Sequence, residues 1–176
     1  MHRTLATLSA LAATLPAALA QSPGCSNTSP PTTGVRTMEV NGQQREYTLT
    51  VPENYDPSIQ YKLIFGYHWL DGTMDHVVGA NHYGLEALAA GSAIFVAPNG
   101  LDMGWANVDG QDLTFTDQII EEVEAELCVD QTQRYATGFS YGGALTYAVA
   151  CSRAGEPREP TWSDPIQSLT ASLSAL

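Results

Sequence analysis

The residues best suited to chemistry are the run Gly138-Phe139-Ser140-Tyr141-Gly142. A Gly-x-Ser-x-Gly run can hold a serine on a very sharp strand-to-helix turn. The flanking positions then have no room for a Cβ, and the serine Oγ stands exposed. The run occurs by chance in many proteins, so its surroundings decide. Arg134 to Thr137 reads as a short strand, and Tyr141 to Cys151, with Gly143, Ala144, Leu145, Tyr147 and Ala148, as an apolar small-residue helix. That context favours a nucleophile over an ordinary glycine-rich turn. Ser140 is therefore expected to attack an acyl carbon and form a covalent intermediate.

Such a reaction needs donors for the developing oxyanion. One is expected to be the backbone N–H of Tyr141, at the start of the helix. The second should come from the loop after the first buried strand, His68-Trp69-Leu70-Asp71-Gly72, with Trp69 or Leu70 as donor. His68 is expected to shape this loop rather than act as a general base. On an α/β-hydrolase sheet the nucleophile is followed in sequence by an acid and then a histidine. The histidines here are His2, His68, His76 and His82, all before Ser140, and the only later aspartate is Asp164. The triad acid and histidine are thus expected to be absent from this chain.

The elements that must position Ser140 follow from apolar periodicity. Met38 and Val40 alternate with polar residues, Asn41-Gly42 turns the chain, and Tyr47, Leu49 and Val51 alternate again, which predicts a hairpin. Tyr61 to Tyr67 and Ala93 to Ala97 are compact apolar runs, as for strands covered on both faces. Tyr83 to Ala90 reads as a short helix stopped by Gly91. A longer helix is expected over about Leu113 to Leu127. Phe115, Ile119, Val123 and Leu127 form its buried stripe, Asp112 its N-cap, and Glu121, Glu122, Glu124 and Glu126 a solvated face. An antiparallel lead followed by β-α alternation predicts an α/β fold: a mostly parallel sheet with helices on both faces.

The 176 residues suit one domain, and residues 1–20 read as a signal peptide. His2 and Arg3 precede the apolar run Leu5 to Leu15, and Ala18-Leu19-Ala20 offers a cleavage site before Gln21. The run is too short to span a bilayer and is broken by Pro16. The expected location is secreted and extracellular. Residues 21–34 should form an exposed lead holding a glycosylation sequon at Asn27-Thr28-Ser29. A net charge of −12 repels phosphates and anionic lipid, so neither nucleic acid nor a membrane is an expected partner. Cys25, Cys128 and Cys151 should form a disulfide outside the cell, and an odd number leaves one without an internal partner. Cys-x-x-Cys and His-x-x-x-His pairs are absent, so no metal and no cofactor are expected.

Several ordered stretches together resemble the secreted feruloyl esterases of carbohydrate esterase family 1, fungal type C above all. They are Val40-Asn41-Gly42, Leu63-Ile64-Phe65-Gly66-Tyr67-His68-Trp69, Tyr83-Gly84-Leu85-Glu86, and Ala93-Ile94-Phe95-Val96-Ala97-Pro98-Asn99-Gly100. Gly104-Trp105-Ala106-Asn107, Cys128-Val129-Asp130 and Ala136 to Gly143 complete the set, within about Gly24 to Ala154. The resemblance implies an α/β-hydrolase fold and hydrolysis of ferulate esters on plant cell-wall arabinoxylan. Acetyl xylan esterase, or a non-catalytic truncated fragment, is the alternative. Residues 35–154 would be the N-terminal part of the esterase domain. Residues 155–176, with three prolines and no buried-strand pattern, depart from the family as an aberrant tail. The second half of the fold is then expected to be missing, leaving residues 134–137 as an exposed edge strand.

Overall fold

A computed structural model describes residues 21–152 and the pair 162–163. The expected signal peptide, Asp164 and most of the aberrant tail lie outside the described residues. Strands β1 (Gly34–Val40) and β2 (Gln43–Thr50) form the predicted hairpin. Asn41 and Gly42 close it with φ of 51° and 78°, the left-handed pair that a two-residue hairpin turn requires. Strands β3 (Tyr61–Tyr67), β4 (Ala93–Pro98) and β5 (Val129–Gly138) follow, with a short β6 (Trp162–Ser163). The helices are α1 (Met74–Gly79), α2 (Leu85–Ala89), α3 (Gln111–Glu126) and α4 (Tyr141–Ser152). The sheet order is β1-β2-β4-β3-β5-β6, parallel from β4 through β3 and β5 to β6, with the hairpin antiparallel at one side. This is the expected α/β-hydrolase architecture.

The core forms where the apolar runs are. Every residue of β4 is buried, and Leu63, Phe65 and Tyr67 of β3 are fully enclosed. Helix α3 presses Phe115, Ile119, Ile120 and Val123 onto the sheet, and α4 adds Leu145 and Val149. Each such side chain contributes about 1.5–3 kcal/mol on leaving water.

Four expectations need correction, and one helix carried no expectation. Helix α1 had no clear sequence signal; it starts at Thr73, where Thr73 and His76 form a capping box. The helix predicted over Tyr83 to Ala90 is shorter, Leu85–Ala89, because left-handed Gly84 and Ala90 bound it. Asp112 does not cap α3: Gly110, at φ 77°, takes that place, and the Asn107 side chain receives the Asp112 N–H. Asp112 is instead buried against Arg45 at 2.9 Å, with the guanidinium lying over the Phe115 ring. The glutamate face is not wholly solvated, since Glu124 is buried and accepts from Arg134 of β5, while Glu122 accepts from the Tyr47 hydroxyl. Finally, Arg134 and Tyr135 of β5 pair with Trp162 and Ser163, so the tail does supply a short strand to that side.

The lead is also docked at its start rather than exposed throughout. Ser22 is buried; its hydroxyl donates to the Leu127 carbonyl at 2.6 Å and accepts the Val129 N–H at 2.7 Å. A disulfide joins Cys25 to Cys128, and Cys151 is free and exposed.

Candidate active site

Ser140 lies between Gly138, the last residue of β5, and Tyr141, the first of α4. It is exposed and has φ of 55°, a left-handed conformation that costs a non-glycine residue on the order of 1 kcal/mol or more. The glycines on either side explain how the turn closes. A Cβ on Gly138 would overlap the carbonyl carbon of Gly142, and one on Gly142 would overlap the Tyr67 carbonyl oxygen. Strand, helix and the end of β3 therefore meet backbone to backbone. The Gly142 N–H donates to the Phe139 carbonyl at 3.0 Å, and the Ala144 N–H to the Ser140 carbonyl at 3.1 Å. The N-terminus of α4, with its positive dipole end, faces the serine.

The loop after β3 lies against this elbow. The Trp69 ring meets the Phe139 ring edge-on, with centroids 6.3 Å apart. A Cβ placed on Gly104 would find Tyr141 Cε1 at 3.2 Å and Leu70 Cδ1 at 3.4 Å, so those two side chains converge over Gly104. Trp69 thus neighbours Phe139, and Leu70 neighbours Tyr141. Three groups fix the loop from below. The Asp71 N–H donates to the Met103 carbonyl at 2.9 Å, the Gly72 N–H to the Trp69 carbonyl at 2.9 Å, and Trp105 Nε1 to the His68 carbonyl at 2.8 Å. The contributions of Met103, Gly104 and Trp105 were not readable as such, because their partners lie some thirty residues away in sequence and no local pattern marks them.

None of the three described histidines is arranged as a base for Ser140. His68 is wholly buried, its Nδ1 2.8 Å from the Trp69 carbonyl and its Nε2 2.9 Å from the Gly100 N–H. Burial pushes its pKa below the usual imidazole value. His76 is exposed, accepts the Thr73 N–H at 3.1 Å and sits beside the Trp69 ring. His82 is buried against Phe95, with Nε2 3.1 Å from the Thr50 hydroxyl, and burial pushes its pKa down to about 4. Among the described residues, no group of three or more His, Cys, Asp or Glu could hold a metal ion. A cavity of about 720 Å³ opens elsewhere, between Thr50, Glu53, Glu86 and Phe95, and includes none of the residues around Ser140.

The residues around Ser140 sit within a stretch shared with curated proteins. The chain is 55% identical over 162 residues to a probable feruloyl esterase C of Aspergillus terreus, covering 90% of this chain and 58% of that protein. It is 54% identical over 158 residues to feruloyl esterase C of Emericella nidulans, covering 88% of this chain and 57% of the relative. Over most of its length the chain is similar to feruloyl esterase C proteins. It spans somewhat over half the length of these relatives. No protein-family model matches it. The fold of this feruloyl esterase C homologue is similar to that of the CE1 ferulic acid esterase from Anaeromyces mucronatus. The TM-score is 0.56, over 73% of this chain and 57% of that one, at 16% identity.

In the feruloyl esterase C homologue the Asn27 amide donates to the Glu126 carbonyl at 2.9 Å, so the expected glycosylation residue is half-buried and helps end α3. Among the described residues, no helix is long and apolar enough to cross a membrane.

Proposed function

We propose that this chain carries the nucleophile of a serine carboxylic ester hydrolase of the feruloyl esterase type, with Ser140 attacking the ester carbonyl. The observation that carries the reading is the left-handed, exposed Ser140 between two glycines that admit no Cβ, within a stretch over half identical to feruloyl esterase C. The Ser140 hydroxyl adds to the carbonyl carbon, and the oxyanion is held by the N–H of Tyr141 and one from Trp69 or Leu70. The ester alkoxy group leaves, and water releases the acid from the acyl-enzyme. The substrate would be ferulate esterified to plant cell-wall arabinoxylan, met outside the cell after removal of residues 1–20, with Asn27 as a glycan attachment point. All four histidines of the chain precede Ser140 and the described three are committed elsewhere, so the general base is proposed to come from outside these 176 residues.

In a form of the protein that hydrolyses methyl ferulate, Ser140→Ala should lower turnover by about 10⁴ or more. Retention of most turnover in the purified variant would remove Ser140 from this role. Comparing methyl ferulate with a small acetyl ester separates a feruloyl from an acetyl xylan esterase. The same histidine placement favours a second reading, a fragment that binds a phenolic or sugar ligand without turning it over. Saturable ferulate binding by the 176-residue chain, with no turnover even after extension, would support it.

A further inference from the structure

We propose that Tyr83 is a positioning residue for Ser140, its hydroxyl tying the end of β3 to the elbow so that the serine stands at one fixed place. The proposal rests on Ser140 being the nucleophile. It gives a task to the stretch Tyr83-Gly84-Leu85-Glu86, which the ester chemistry leaves unused. Tyr83 comes from the turn between α1 and α2. Its hydroxyl donates to the Tyr67 carbonyl at 2.7 Å, since a carbonyl oxygen can only accept. The ring lies against Gly66, where a Cβ would stand 3.8 Å from Tyr83 Cε2. Burial pushes the hydroxyl's pKa up, and a backbone hydrogen bond with Phe139 works against the rise.

Both partners of the hydroxyl belong to the elbow. The Tyr67 carbonyl oxygen is the atom that a Cβ on Gly142 would overlap, so the first turn of α4 closes directly on it. Phe139 is the residue immediately before Ser140. One hydroxyl therefore holds the strand end on which α4 rests and the backbone that enters the serine turn. A small drift of either moves Ser140 Oγ, and misplacement of a reacting atom by about 1 Å can cost 10²-fold in rate.

The chain accepts an unusual backbone to bring Tyr83 here. Asn81, His82, Tyr83 and Gly84 are left-handed in succession, with φ of 50°, 50°, 60° and 79°. Asparagine and glycine enter that region readily, but as single residues, and a tyrosine does not. Such a backbone persists only where its surroundings over-determine it. Here the His82 N–H donates to the Val77 carbonyl at 2.9 Å and the Gly84 N–H to the Ala80 carbonyl at 3.0 Å. The His82 ring stacks on Phe95 and its Nε2 meets the Thr50 hydroxyl. These contacts anchor the turn to β4 and β2, and the Tyr83 hydroxyl is what the turn delivers to β3.

The test compares Tyr83→Phe with Tyr55→Phe. Tyr55 also carries a hydroxyl on a backbone group, the Cys128 N–H at 2.7 Å, but at the amino ends of the strands. In a form of the protein that hydrolyses methyl ferulate, Tyr83→Phe should lower kcat about tenfold or more with KM within about two-fold. The loss should be the same for a small acetyl ester, because the serine and not the acyl group is displaced. Tyr55→Phe should keep kcat within about two-fold while losing comparable stability to urea. In the 176-residue chain itself, exchange of the Gly142 and Ala144 amide hydrogens should quicken in Tyr83→Phe and stay unchanged in Tyr55→Phe.

Unchanged kcat in Tyr83→Phe overturns the proposal, and so does an equal loss in Tyr55→Phe. A raised KM at constant kcat would make Tyr83 a substrate contact and overturn it too. If Ser140→Ala retains turnover, the nucleophile reading falls and this proposal with it. If Ser140→Ala is inactive and Tyr83→Phe is not impaired, this proposal alone falls.

Discussion

The two ends of the parallel strands both gather segments far apart in sequence, by different means. At the amino ends of β3 and β5 the lead is clamped. A disulfide joins Cys25 to Cys128, the Ser22 hydroxyl bridges Leu127 and Val129, and Asn27 reaches Glu126. At the carboxyl ends, around Ser140, none of the contacts is a covalent cross-link. Closeness there comes from side chains that are missing, at Gly138 and Gly142, and from backbone groups held by His68, Trp105 and Met103. Left-handed residues gather there too: Asp71, Asp102, Met103, Asn107 and Ser140. The clamp secures a location, whereas the elbow secures a direction. A clamp can lose a partner and still pack; an elbow that shifts by one methyl group no longer aims its serine.

Breaking the clamp should give the largest change. The disulfide closes a separation of 103 residues, for which loop entropy predicts about 4–5 kcal/mol. Urea unfolding with and without reductant measures it, and a difference below about 1 kcal/mol would mean the lead is held by its hydrogen bonds alone. At the elbow, Gly142→Ala should cost about 3 kcal/mol, since the new methyl meets the Tyr67 carbonyl and neither is a flexible end. Unchanged stability in this variant would show that the site can slide, and would end the contrast.

His82, in the turn between α1 and α2 and stacked on Phe95 of β4, separates both ends from a general response to acid. Its folded pKa is depressed to about 4, so the stability it contributes is present above the ordinary value of about 6.5 and lost as pH falls towards 4. The loss should be on the order of 3 kcal/mol between pH 7 and pH 4. His82→Phe should flatten that slope by a similar amount, and an unchanged slope would assign the acid sensitivity to other groups. The smallest effect is expected from Ser22→Ala, about 2 kcal/mol, from the Leu127 carbonyl and Val129 N–H left without their shared partner.

The elbow and the buried strands were legible because their signals are local. Glycines flanking a serine, Asn-Gly between alternating residues and unbroken apolar runs each state their structure within a few positions. The clamp was legible only as a disulfide of open pairing: Ser22 and Asn27 look like ordinary polar residues of an exposed lead until residues 126–129 are folded beside them. Asp112 fails in the same way. As an acid one residue before an apolar stripe it reads as a helix cap, and only the arrival of Arg45 from the hairpin turns it into a buried anion. The loop at His68 falls between these cases. Its location after a buried strand can be read, but not that the His68 ring accepts the Gly100 N–H, thirty-two positions away.

The separation of 103 residues from one disulfide partner to the other also amounts to an interval of time. At about 5–20 residues per second, a growing chain presents Cys25 and Asn27 roughly 5–20 s before Cys128 is made. Throughout that interval Cys25 lacks its mate, and the Asn27 amide has no Glu126 carbonyl to donate to. Any enzyme that modifies the lead meets it first as unfolded chain, and afterwards as part of a closed surface.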